Sequence, residues 1–197
     1  MGAHPRRTKP PAVRAEETCG LLRSGRGSPA RAIATLTRMG AAAVPAVAAL
    51  LRERGAGYSF AVRILTASDA AEATDALREA AADPGSRECD RLEAAQALAD
   101  RGDPSGLRAL RDLAARGTAL RAAAYYCLRG REGGLADEDL VLGPFLDDPE
   151  VRPLAVEDLR ARGIETTGSL DDAAARARFR EGWRAGVRPA RRTRRRR

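Results

Sequence analysis

An alanine followed four residues later by a leucine recurs at Ala32/Leu36, Ala61/Leu65, Ala94/Leu98, Ala124/Leu128 and Ala155/Leu159. The leucines lie 29, 33, 30 and 31 residues apart, too far for a coiled-coil heptad and in the range of helical repeats. A single unit of that length leaves one apolar face uncovered, so the copies have to stack. Within each copy the small alanine lets a neighbouring helix approach closely, and the leucine one turn on fills the remaining space.

Punctuation residues agree with this period. Ser28-Pro29 reads as an N-cap followed by proline at the first helical position, where the missing N–H costs nothing. Gly40 ends that helix, and a second begins near Pro45 with Val44, Val47, Leu50 and Leu51 at helical spacing. Asp69 is the expected cap of the next second helix, which carries Ala73, Leu77 and Ala80. Asp103-Pro104 restarts the chain before Leu107, Leu110 and Leu113, and Asp148-Pro149 opens the fifth copy. Ahead of the first copy, Pro11 to Arg23 carries a weak helical pattern with Val13, Cys19, Leu21 and Leu22 as candidate buried positions.

The stretch Asp148-Pro149-Glu150-Val151-Arg152 with Ala155 and Leu159, and the stretch Arg91, Ala94, Leu98 with Gly102-Asp103-Pro104, resemble HEAT-like repeats of the short bacterial kind first described in phycobilin lyases. The resemblance spans about 28–165 and is strongest in the third and fifth copies. It implies an all-α fold, an α-solenoid of about five helix pairs. It also implies a role for Arg91, Arg121 and Arg152, which share one register before the anchors and would brace a neighbouring repeat through an acidic residue. Pro29 and Tyr58 occupy that register in the first two copies. The expected organisation is a disordered tail over 1–11, a capping helix over 12–27, the solenoid over 28–182 and a disordered Arg-rich tail over 183–197.

Charge divides the chain unevenly. The net +8 resolves into 8 basic and 2 acidic residues over 1–40, 16 and 24 over 41–172, and 11 and 1 over 173–197, so the body is acidic and both ends are basic. That argues against a basic nucleic-acid cradle formed by the body. Cys19, Cys89 and Cys127 are far apart with no CxxC, and His4 is the only histidine. Neither a zinc site nor an activated cysteine is expected from such a set. No Gly-x-Ser-x-Gly is present, so no catalytic constellation and no cofactor is expected. No run approaches the roughly 18 consecutive apolar residues of a membrane helix, and a cytoplasmic location is expected.

Functional expectation falls on two features. A non-catalytic scaffold or adaptor would bind a protein partner on the polar faces between the anchors. The alternative is nucleic acid held through the C-terminal arginines: Arg176, Arg180 and Arg184 at i, i+4 and i+8 as one basic stripe, followed by Arg191, Arg192, Arg194, Arg195, Arg196 and Arg197. Trp183 and Phe179 beside the stripe would stack on bases or seal the last repeat, the second being favoured. Gly182 weakens this helix. An acidic partner, an anionic membrane surface and the acidic body of the same chain are further acceptors for the tail.

Overall fold

The computed structural model describes residues 9–116, 119–166 and 170–186, and among these every regular element is helical. The α-helices are α1 (Pro11–Ser24), α2 (Pro29–Met39), α3 (Val44–Arg52), α4 (Tyr58–Thr66), α5 (Ala71–Ala82), α6 (Glu88–Asp100), α7 (Pro104–Ala115), α8 (Arg121–Leu128), α9 (Asp137–Leu142), α10 (Arg152–Ala161) and α11 (Ala173–Arg184). Single 3-10 turns occupy Gly40–Ala43 and Pro144–Leu146. The chain forms two compact units, Met1–Ala109 and Leu110–Arg197, divided within α7.

In the first unit the helices alternate between two series. The anchor helices touch in succession, α2 with α4 and α4 with α6, and α3 touches α5 of the other series. Ala32, Leu36, Ala61, Leu65, Ala94 and Leu98 are all buried, as the small-then-large pattern requires. The closest approach is at Gly106 of α7. A Cβ there would stand 2.4 Å from the Ala99 amide nitrogen and 2.6 Å from the Ala95 carbonyl oxygen of α6, so only glycine fits that crossing. Ser28 caps α2 by accepting from the Arg31 amide, and Asp103 opens α7 by accepting from the Ser105 amide.

In the second unit Ala124, Leu128, Ala155 and Leu159 are fully buried. Tyr125 of α8 meets Phe145 edge-on at 5.0 Å, and α9 touches both α10 and α11. The helix α11 persists through Gly182 to Arg184, two residues into the stretch expected as tail. Asp172 caps it by accepting from the Ala174 and Ala175 amides. A glycine within a helix costs only about 1 kcal/mol, which the burial of Phe179 and Trp183 on either side of Gly182 offsets.

Several expectations are corrected. In α1 the buried face is Ala15, Cys19 and Leu22, whereas Val13 and Leu21 are 45% and 47% exposed; the i, i+4, i+7 stripe excludes those two positions. Asp69 does not cap α5, which begins after Ala70 with no side-chain cap; Ser68 accepts from the Ala70 amide instead. The stretch Pro29–Arg52 is, by length and composition, apolar enough to cross a membrane. Polar residues such as Thr35 and Arg38 interrupt it as a consecutive run, but its mean hydropathy is high. Its apolar side chains Ala32, Leu36, Val47, Leu50 and Leu51 are buried within the protein, and Gly40 at φ +56° interrupts it.

Candidate functional site

Arginine is the dominant cation of this chain, and most guanidiniums among the described residues have partners within the protein. Arg91 donates from Nε to the Ala81 carbonyl at 3.2 Å, Arg121 to Ala114 at 3.0 Å and Arg152 to Leu146 at 2.7 Å. Each of these carbonyls ends a preceding helical segment, where the last turn has no intrahelical donor and favours a cation. Arg121 also reaches Asp148 at 3.4 Å, and Arg152 lies 3.8 Å from Asp171. Arg101 closes the anchor helix α4 the same way, donating to the carbonyls of Leu65, Thr66 and Ser68.

Ion pairs follow the period of the sequence. Arg23–Glu53, Arg52–Glu79, Arg78–Asp103, Arg111–Asp139, Arg121–Asp148, Arg129–Asp158 and Arg176–Asp147 join residues 25 to 30 positions apart. Each pair therefore spans about one repeat. The exposed ones, such as Arg23–Glu53 and Arg52–Glu79, contribute little singly, while those of Arg111, Arg121, Arg129 and Arg176 are partly buried.

The C-terminal arginines expected as one stripe are divided by this network. Arg176 is buried and donates to the carbonyls of Leu170 and Asp171 at 2.8 and 2.7 Å and to Asp147 at 3.1 Å. Arg180 donates to Val141 and Gly143 carbonyls and to Asp147. These bonds hold the Asp147 carboxyl below the usual carboxylate range, Arg180 contributing most. Only Arg184 of the three is exposed, so a single solvent-facing stripe is not formed. Phe179 and Trp183 are each 9% exposed and turned inward. Arg191, Arg192, Arg194, Arg195, Arg196 and Arg197 lie outside the described residues.

Arg176, Phe179 and Trp183 repeat the spacing of Arg152, Ala155 and Leu159, with aromatics in place of the small and large anchors. That signal was present in the sequence but hidden by the change of residue type.

The register breaks at Tyr58, and there a polar cleft of about 270 Å³ opens in the first unit. It lies between the loop joining α3 to α4 and the loop joining α5 to α6, and its lining includes Arg54, Tyr58, Ser59, Ser86, Arg87 and Asp90. Ser86 Oγ donates to Asp83 at 2.8 Å and lies 2.5 Å from the Tyr58 hydroxyl. Asp83 also accepts from the Gly85 amide and pairs with Arg54 at 3.1 Å. The Ser86 and Gly85 bonds lower the Asp83 carboxyl, whereas burial raises the Tyr58 hydroxyl. On the other wall Asp90 accepts from Ser59 Oγ at 2.9 Å and from Arg87 Nε at 3.0 Å.

The carboxylates are enclosed and the guanidiniums exposed: Asp90 lines the cleft, and Asp83 lies beside it in an adjoining depression that shares Arg54 and Tyr58. Asp83 and Asp90 side chains are 11% and 4% exposed, against 66% and 69% for Arg54 and Arg87. Arg54 is the one non-glycine with positive φ among the described residues, at +52°. That conformation costs about 1–2 kcal/mol for a side chain bearing a Cβ. Sequence reading singled out neither arginine, because the loop conformation that brings them together carries no periodic signal.

A second depression, about 470 Å³, is lined by Asp69, Glu93, Gln96 and Asp100; burial raises the Glu93 carboxyl. The three cysteines are free thiols, and burial pushes the Cys19 thiol up to about 11, so it stays protonated at neutral pH. Among the described residues no cluster of three metal-ligating side chains is present. Comparison of the chain with protein-family models, curated proteins and solved structures finds no match.

Proposed function

We propose that the chain is a non-catalytic protein-interaction module built as an α-solenoid of about five HEAT-like helix pairs. The observation that carries this reading is the set of arginine–carboxylate pairs spaced by one repeat, on the same period as the alanine–leucine anchors. Bracing of that kind suits a frame that holds successive inter-helix loops in fixed register, and such frames bind through the surface their repeats share. The acidic body and the arginine-rich end would then serve separate partners.

The second reading, nucleic acid held by the C-terminal tail, is favoured by Arg188, Arg191, Arg192 and Arg194 to Arg197 following one another after α11. Seven neutralised phosphates would give a salt slope of about −5 on single strands and about −6 on duplex. Because α11 is packed into its unit, the cut that separates the readings falls after Gly186. The test compares the full chain with 1–186 for capture of a protein partner after nuclease treatment, and for binding to random-sequence DNA and RNA across salt. The leading reading expects 1–186 to keep the partner. It is overturned if capture is lost with the tail or with the nuclease and the full chain shows the steep salt slope.

A further inference from the structure

We propose that the cleft between the α3–α4 and α5–α6 loops is a binding site for a phosphate dianion, either the free ion or the phosphate of a phosphorylated side chain. The phosphorylated side chain rests on the protein-interaction reading; the binding of the dianion does not.

Donor and acceptor supply in the cleft is lopsided. Asp83 accepts from Ser86 Oγ and the Gly85 amide and pairs with Arg54. Asp90 accepts from Ser59 Oγ and twice from Arg87, through Nε at 3.0 Å and Nη2 at 3.3 Å. The carboxylates are therefore satisfied by groups already in place. A guanidinium carries five N–H donors and no acceptor, and each of these two uses only part of its fork on the protein. Their remaining N–H groups stand at the rim of the cleft, two-thirds exposed, beside the Tyr58 and Ser59 hydroxyls. A planar fork with spare donors matches a tetrahedral oxyanion.

The cationic choice is poorer. A cation would have to displace a guanidinium from a carboxylate that is nearly enclosed. An oxyanion joins on the outer side of the forks and leaves both pairs standing.

Arg54 adds an independent reason. Its left-handed backbone is one that glycine adopts freely, and Gly55 is its neighbour. Keeping arginine in such a conformation fits a requirement for its side chain at that point. Elsewhere the guanidiniums that cap helices, such as Arg91 and Arg101, are committed to carbonyls. Those of the cleft pair with Asp83 and Asp90, and Arg87 also donates from Nη2 to Ser59 Oγ at 2.8 Å, which leaves its Nη1 group facing outward.

Local charge sums to zero over Arg54, Arg87, Asp83 and Asp90, so affinity for the bare ion is expected to be modest, with Kd about 1 mM. The test uses the full chain labelled with ¹⁵N and titrated with inorganic phosphate against chloride at constant ionic strength. Saturable shifts are expected at the Nε–H groups of Arg54 and Arg87 and at the amides of the two loops. Arg54→Gly removes one guanidinium while relaxing the backbone, so it should weaken binding about tenfold without lowering the melting temperature. Arg87→Gln should weaken it similarly.

A phosphoserine peptide that shifts the same signals, where its unphosphorylated form does not, assigns the source to a modified protein. Saturation by inorganic phosphate alone assigns it to the free ion. The proposal is overturned if the shifts fail to saturate and spread over exposed arginines such as Arg160, Arg178 and Arg184, or if Arg54→Gly binds as well as the parent. In that event a partner still captured by 1–186 leaves the interaction reading standing.

Discussion

Leu98→Ala is expected to destabilise the protein by about 2–5 kcal/mol, the usual cost of truncating a fully buried leucine. Leu98 is 0% exposed on α6, a helix that touches both α4 and α5. Its Cβ stands against the backbone of Gly106, so the surrounding helices have little freedom to close the void. Leu170→Ala serves as the comparison. Leu170 is also buried, but it lines an open depression with Arg152, Val156 and Thr166, and a smaller loss is expected there. Equal shifts in melting temperature for the two variants would contradict a firm anchor at the third copy and a weaker end.

Tyr125 is the second position where a large effect is expected. The side chain is fully buried, its ring meets Phe145, and its hydroxyl donates to Asp158 at 2.5 Å. Tyr125→Ala should cost about 3–5 kcal/mol through the cavity alone. Tyr125→Phe keeps the packing and removes one hydrogen bond, and Asp158 retains Arg129 at 2.9 Å, so about 1–3 kcal/mol is expected. Burial first, and then the Asp158 carboxylate, push the Tyr125 hydroxyl above its ordinary value.

The folded state therefore favours the protonated phenol. Its contribution is fully present below the unfolded-state value of about 10 and is lost as pH rises from there through the raised folded value. Denaturant unfolding measured across alkaline pH should show that loss in the parent and a smaller one in Tyr125→Phe. The same alkaline loss in both would mean that Tyr125 is not the group responsible.

The anchors were legible because burial of a small and a large residue at i and i+4 leaves a direct mark in the sequence. Ser28 and Asp103 were legible because capping demands specific residue types next to proline. Asp69 shows the limit of that reasoning, since a residue of capping type does not cap where the helix starts one residue further on. Val13 and Leu21 were misplaced because a short helix with a narrow stripe offers more apolar residues than it buries.

Arginines were the least legible part. Several of them, Arg91, Arg121 and Arg152 among them, donate to backbone carbonyls at helix ends, acceptors that no residue type announces. A set of positions that looked like a solvent-facing stripe, Arg176 and Arg180, instead closes the end of a unit. The cleft escaped for a related reason, because it depends on two irregular loops and on the left-handed backbone of Arg54.

The claim that arginines bind the repeats together is tested most directly by hydrogen exchange at the arginine Nε–H groups of the full chain, resolved by NMR. Arg91, Arg121, Arg152 and Arg176 should give dispersed, slowly exchanging signals, because each Nε is bonded to a carbonyl or carboxylate. Arg184 should exchange at the rate of an exposed side chain. Uniformly fast exchange, with the four indistinguishable from Arg184, would contradict the account.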